Sequence, residues 1–359
     1  MSFGGWILLL TLLSPVIAAS SDFYTTSNDP RNNQLIRYRV EGNGAIKEIG
    51  RYATGGRGTG ANLPSAGSIA LSSDRRWLVA VNAGSNQISS FRMGPKGPRL
   101  MGVQHSKGTL PLSIALRGPF VYVLNSGSHS VATFRLRPDG TLEPFKKDGI
   151  RVLSSEEARA TSLAVSRDRN QLVVAERGVN QLARYAINRR GLLGGTPQIT
   201  QTLSASPFAL SFYKETLFTV FAGQGSRQSS IGSYRDDSQK GLTLKQAPVF
   251  TGQTAACWSA LSSHRRLLYA ANAGSHSLTG IKLSVEGSFD LIDPEGVSAD
   301  TGPDSRPRDL AISRDGLWLA VILDGVSQIA LYRVGRDGRL TLTGSHDGVP
   351  HGSAGLVAR

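Results

Sequence analysis

The chain has 359 residues, 40% of them hydrophobic and 18% charged, so it can bury a large core and is not a disordered chain. Its single cysteine, Cys257, excludes an internal disulfide framework. Lys and Arg number 40 against 26 Asp and Glu, a formal charge of +14, but the bases are spread through turns and form no run. That dispersal argues against nucleic-acid recognition and leaves a small acidic molecule, an anionic polysaccharide or a cell surface as partners.

The chain begins Met1-Ser-Phe-Gly-Gly-Trp-Ile-Leu-Leu-Leu-Thr-Leu-Leu-Ser-Pro-Val-Ile-Ala-Ala-Ser20, an apolar stretch followed by small residues. It is short for a membrane helix and has the cleavage pattern of a secretory signal, although its start lacks Lys or Arg. Residues 1–18 are expected to be a signal peptide, cut near Ala18 or Ala19. The remaining residues 19–359 then form one secreted domain with no membrane span. No Asn-x-Ser/Thr sequon is present, so no N-glycan is expected.

From residue 23 onward a phrase recurs. Leu78-Val-Ala-Val-Asn-Ala-Gly-Ser85 returns as Val121-Tyr-Val-Leu-Asn-Ser-Gly-Ser128 and Leu268-Tyr-Ala-Ala-Asn-Ala-Gly-Ser275. Each copy is an apolar strand, a small-residue turn and a second strand ending on an aromatic or apolar residue and a base. Weaker copies put Glu176, Phe221 and Leu323 in the Asn slot, and a first copy puts Asn28 there. These seven positions lie 43 to 54 residues apart, the length of a four-stranded sheet with its loops. An inner strand precedes each phrase from the second copy on, as in Ser68-Ile-Ala-Leu71, Ser162-Leu-Ala-Val165 and Asp309-Leu-Ala-Ile312. Charged turns such as Ser73-Asp-Arg-Arg76 and Ser166-Arg-Asp-Arg169 follow it, and Pro138-Asp-Gly140 and Arg336-Asp-Gly338 read as hairpin turns.

This pattern predicts an all-β fold: a seven-bladed β-propeller of four-stranded antiparallel sheets. The terminal His351-Gly-Ser-Ala-Gly-Leu-Val-Ala358 is similar to an inner-strand segment, and the blade opened by Phe23 lacks one. The two ends are therefore expected to share that blade and close the ring. Asn28, Asn82, Asn125 and Asn272 are expected to close their own turns through side chain to backbone hydrogen bonds.

Seven blades of this type resemble the lactonase family of seven-bladed propellers, which includes 6-phosphogluconolactonases and 3-carboxymuconate-lactonising cyclases. The likeness runs from about Phe23 to Arg359. It is carried by Thr26-Ser-Asn-Asp-Pro30, Tyr52-Ala-Thr-Gly-Gly-Arg-Gly-Thr-Gly60, Gln253-Thr-Ala-Ala-Cys-Trp258, Thr301-Gly-Pro-Asp-Ser-Arg-Pro-Arg-Asp-Leu310 and Gly352-Ser-Ala-Gly-Leu356. The resemblance implies a lactone hydrolase or lactonising lyase using a His with a Glu, flanked by arginines that hold carboxylates. Glu176 matches the acidic member. The family histidine has no counterpart: the matching places read Ser305-Arg-Pro-Arg-Asp309 and Ala158-Arg-Ala-Thr-Ser162.

In a propeller, the loops leading into inner strands and the turns after second strands gather on one face around the channel. Arg57, Arg159, Arg306 and Arg308 fall in such loops and suit a carboxylated ligand, since guanidinium forks pair with planar carboxylates. Asp309 either ties one blade to the next or faces the mouth. Trp258 is a stacking surface or core packing, and Cys257 a small buried residue or a ligand contact. His351 precedes the closing strand, where an imidazole can serve as a base near neutral pH. The other histidines show no ligand spacing, and no metal or cofactor is expected. Two functions follow. One is a secreted lactonase-like or cyclase-like monomer acting on a small carboxylated lactone, with Glu176, His351 and Asp309 as candidate catalytic groups and Arg57, Arg159, Cys257, Trp258, Arg306 and Arg308 as binding groups. The alternative is a non-catalytic propeller binding an acidic glycan or surface partner.

Overall fold

The computed structural model describes residues 21–146, 148–166 and 170–359; the expected signal peptide and residues 167–169 of the charged turn lie outside them. Seven antiparallel sheets follow one another. Blade 2 runs from its inner strand outward as Ile69–Leu71, Trp77–Asn82, Gln87–Gly94 and Gly97–His105. In blade 3, Pro111–Arg117, Phe120–Asn125 and Ser130–Leu136 precede an outer strand in two pieces, Leu142–Pro144 and Ile150–Val152. Blade 4 is Ser162–Val165, Gln171–Glu176, Gln181–Ala186 and Gln198–Gln201, and blade 5 is Pro207–Tyr213, Thr216–Phe221, Ser230–Asp237 and Gly241–Phe250. Blade 6 has Ala256–Ser262, Leu267–Asn272 and Ser277–Leu283, with its outer strand again split into Phe289–Leu291 and Ala299–Asp300. Pro307–Ile312, Trp318–Leu323, Gln328–Val334 and Leu340–Asp347 make blade 7.

Blade 1 joins the two ends of the propeller. Its order is Ile46–Ala53, Gln34–Val40, Asp22–Thr26 and then Ala354–Ala358 as the inner strand. Each inner strand touches the next around the circle, including Ala354–Ala358 against both Ile69–Leu71 and Pro307–Ile312, so the ring is closed. Two buried carboxylates fasten the joint: Asp309 Oδ2 accepts the Gly355 N–H at 2.8 Å and Asp324 Oδ1 accepts that of Gly352 at 2.7 Å. The second strand of blade 1 ends at Thr26, two residues before Asn28, because a longer turn with Asn28 at φ 52° replaces the short one of the other blades. The other six strand-end positions match the sequence reading to the residue.

The core explains the residue pattern. Second strands are buried throughout because a neighbouring blade covers each face, whereas an outer strand such as Ile46–Ala53 alternates between covered and open positions. Seven apolar clusters fill the seven interfaces between blades; one unites Phe23, Ile36 and Tyr38 of blade 1 with Trp318, Ala320 and Ile322 of blade 7. The base that closes the repeated phrase also has a cause. Arg92 stacks over Trp77, Arg135 over Phe120 and Arg333 over Trp318, at 5.7, 5.4 and 4.9 Å, each directly opposite its aromatic in the strand register.

The strand-end asparagines differ from expectation. Asn82 does not close its own turn: it donates to Ser89 Oγ (2.7 Å) and accepts from Asn33 Nδ2 and Thr54 Oγ1 of blade 1 and its following loop. Asn272 donates to Ser277 and Thr279, and Asn125 to the Ser106 carbonyl. Asn28 pins the loop at Thr59 and Ala61. Buried at strand ends, these amides find partners across the blade, where desolvation makes each bond count. No helix among the described residues is long and apolar enough to cross a membrane.

Candidate functional site

On the face where second strands end, the loop between blades 1 and 2 does not stay at the rim. Residues 61–67 cross the channel mouth as a strap. The Leu63 carbonyl accepts from Arg308 of blade 7 at 3.1 Å, and the Ser65 carbonyl accepts the Trp258 indole N–H of blade 6 at 2.7 Å. Further on, Ala66 N–H donates to the Thr161 carbonyl at 3.1 Å and its carbonyl accepts from Ser113 Oγ at 2.7 Å. Leu63 is buried with Ala83, Leu112 and Ala354 beneath it. A strap bonded to four blades closes the channel from this side and divides the face into separate regions.

One side of the strap borders a cavity of about 780 Å³. Its lining includes Pro64 of the strap, Arg159 and Thr161 ahead of blade 4, Arg177 and Gly178 in that blade's turn, Ser206, Gln224, Thr254 and Cys257 from blades 5 and 6, and His129 from blade 3. The ionisable groups lining it are Arg159, Arg177, His129 and Cys257, and no carboxylate is among them. Arg159 is held at φ 41°, and its turn is fixed by the Gly178 N–H donating to the Ala158 carbonyl at 2.8 Å. Gly178 could carry no Cβ, which would stand 1.9 Å from the Glu157 carbonyl oxygen. His129 Nδ1 is buried without a hydrogen-bond partner among the described residues. Burial pushes the Cys257 thiol up to about 12, so it stays protonated at neutral pH and lacks the thiolate that a nucleophile needs.

The other side chains picked out from the sequence are scattered. Glu176 is fully buried: it accepts from the Ser154 N–H (3.2 Å), from Ser154 Oγ and from Gln181 Nε2 (2.6 Å). It occupies the slot that Asn82 and Asn272 fill in other blades; like both it ties a strand end to the third strand, and like Asn82 it also holds the preceding loop. Asp309 is buried at the blade 7 to blade 1 joint. Arg308 lies under the strap, bonded to Asn62 and Leu63, 3.6 Å from Asp324 and 5.0 Å above the Trp258 ring. Trp258 is itself 6% exposed, packed on Phe208 at 5.3 Å, and so is core rather than an open platform.

His351 is exposed and sits 3.4 Å from Asp324 Oδ1, outside the cavity. Arg306 is exposed at φ 46°, its N–H donating to His276 Nδ1 at 3.2 Å. Arg57 borders a separate, shallower hollow with Arg31, Gly56 and Ser85. Arg159 and Cys257 are thus brought together, while Glu176, Asp309, Arg57, Arg306, Arg308, Trp258 and His351 do not join them in the cavity. Arg177 is not singled out by the sequence, and His129, in the turn position that Asn86 also holds, reads there as a surface residue. Arg177 directly follows a strand end, which places it on this face, and that was its available signal. Among the described residues no group of His, Cys, Asp and Glu could hold a metal ion.

Residues 23–154 match the family described as "Lactonase, 7-bladed beta-propeller". No curated protein matches the chain. Among solved structures, it is similar to a candidate 6-phosphogluconolactonase from Bacteroides fragilis, with TM-score 0.74 and 15% identity over 96% of this chain and 99% of that one. A periplasmic gluconolactonase from Pseudomonas aeruginosa gives TM-score 0.74 and 17% identity over 95% and 99%. A protein from Lactobacillus plantarum gives TM-score 0.76 and 18% identity over 95% and 99%. At these identities the likeness is one of fold.

Proposed function

We propose that this lactonase-type seven-bladed propeller takes a small carboxylated lactone into the cavity beside the strap. The observation that carries this is a lining with two guanidinium groups, an imidazole and no carboxylate. Arg159 and Arg177 hold the ligand's carboxylate, and a lactone carbonyl gaining negative charge on attack is stabilised by the same field. His129 is the base: it takes a proton from water as the water oxygen bonds to the lactone carbonyl carbon. The ring C–O bond then breaks, the ring oxygen receives the proton back, and a hydroxy acid is released. The apolar start of the chain fits export and supports a place of action outside the cell.

The test uses protein collected from the medium, whose intact mass also reports cleavage after Ala18 or Ala19. Gluconolactone, 6-phosphogluconolactone and muconolactones are offered in turn. Arg177→Ala should raise KM about tenfold, and His129→Gln should lower kcat about a hundredfold or more. Turnover indifferent to both changes would remove the assignment. A second reading, ligand binding without turnover, is favoured by the burial of both Glu176 and Asp309 in structural bonds. It predicts salt-sensitive binding of sugar acids, weakened by Arg177→Ala, with every lactone left intact.

A further inference from the structure

The channel closed by the strap opens on the opposite face into a mouth of about 1040 Å³, formed where inner strands end in blades 1, 2, 6 and 7. Five arginines line it: Arg37, Arg39, Arg75, Arg314 and Arg359. Two side-chain carboxylates accompany them. Asp22 is committed to Arg37 and Arg39, at 2.5 and 2.8 Å. Asp74 is committed to Ser72 Oγ at 2.5 Å and to Arg76, which is not in the lining, at 2.6 Å. Neither of these side chains is left to offset Arg314 or Arg359. Arg314 is exposed on its turn and makes no hydrogen bond or ion pair with the described residues. Arg359 reaches only the carbonyls of Arg75 and Gly94, over 3.3 and 3.4 Å. Beneath this rim the wall is largely apolar, with Ala70, Ala260 and Ala311 standing among larger residues such as Leu71 and Val357.

We propose that this mouth is a second anion site, for a small molecule carrying two or more carboxylate or phosphate groups. A concave wall focuses the field of several guanidinium groups, and separated forks favour a ligand with more than one anionic group. A hollow of about 1040 Å³ leaves room for the ligand's carbon frame, and the strap closes the channel on the other face. Because the mouth is built from both ends of the propeller, a ligand bridging Arg39 or Arg359 to Arg314 joins blade 1 to blade 7. Binding therefore raises the unfolding temperature.

Citrate and pyrophosphate, the two probes, are titrated at low salt by calorimetry and by thermal unfolding in Arg177→Glu, which disables the cavity on the opposite face, and in that background with Arg314→Glu, Arg314→Ala or Arg336→Glu added. At least one probe should bind and raise the melting temperature. In that background Arg314→Glu should weaken binding about tenfold or more and abolish the rise, with Arg314→Ala intermediate; Arg336→Glu, exposed on a hairpin outside the mouth, should change neither. Preference for citrate or for pyrophosphate identifies the anionic group. Binding of neither probe overturns the site. So does binding that Arg314→Ala leaves unchanged, or that Arg336→Glu weakens equally, since net charge alone would then account for it.

Discussion

Asp309 is an acid buried where the ring is joined, and burial pushes its carboxyl up to about 6, against the Gly355 N–H and Arg308, which favour its charged form. The ordinary value is 3.8, so the folded protein holds this proton more tightly than the unfolded chain. The group's contribution to stability is therefore most favourable below about pH 4. It declines as pH rises through 6, and above that the charged form costs up to about 3 kcal/mol. Asp309→Asn keeps an oxygen for the Gly355 N–H and cannot ionise. Denaturant unfolding should show the variant gaining about 1–3 kcal/mol over the wild type at pH 7.5 and less at pH 4.5; a difference independent of pH would show that Asp309 does not titrate in this range. The same residue illustrates what sequence could and could not reveal about the site. Its dull reading, a tie between blades, was visible from its place at the head of an inner strand. Glu176 looked chemical because an acid stood in an asparagine slot, yet the slot itself is buried and its polar atoms are spent on Ser154 and Gln181. Arg177 and His129 gather only because three blades turn their loops to one hollow, a convergence that no local pattern encodes.

The strap at 61–67 decides which side chains are available; Asn62, Pro64, Ser65 and Gly67 mark it as a loop, but nothing local sets its path. Its position comes from long-range partners: the Trp258 indole N–H, the Arg308 guanidinium, the Thr161 carbonyl and the Ser113 hydroxyl. Gly67 completes it at φ 82°, with its carbonyl accepting the Ile114 N–H at 2.8 Å. Short inner strands and hairpins were legible because period-two patterning and Asp-Gly turns are local. A loop's path over a channel is not local, and so Arg308, expected at an open rim, lies covered, while Trp258 takes the core-packing role that was one of its two expectations. Trp258→Leu removes the donor to Ser65 and the ring under Arg308 while keeping an apolar side chain. The buried Ser65 carbonyl loses its partner, which costs about 1–3 kcal/mol. Amide hydrogen exchange should then quicken about tenfold or more across residues 62–67 and stay slow in the second strands of the blades. If the strap exchanged no faster than in the wild type, the indole bond would not be what holds it.

Seven sheets could be counted in the sequence because a unit that cannot bury its own apolar faces must repeat at a regular interval, and each interface between neighbours holds one apolar cluster. Closure was legible for a related reason: the final segment reads as an inner strand with no blade of its own, and Asp22–Thr26 needs a partner on that side. Pairing runs from Phe23 opposite Ala358 to Thr26 opposite Ala354, with Thr26 Oγ1 donating to the Ala354 carbonyl at 2.8 Å. A ring of this kind is only as cooperative as its joint, because loss of one inner strand exposes a sheet edge and uncovers two interfaces together. Removing residues 350–359 deletes the buried Ala354, Leu356 and Ala358, the ladder to Asp22–Thr26, and the N–H groups that satisfy Asp309 and Asp324. For a domain of this size that loss should lower the melting temperature by roughly 10 °C or more and broaden the transition. A peptide of residues 350–359 supplied in trans should recover part of the loss, since the vacated edge still presents its donors and acceptors in register. Recovery by the peptide, but not by a scrambled version, separates a missing closing strand from general damage. A truncated chain that melts like the intact one would mean that the ring does not depend on its joint.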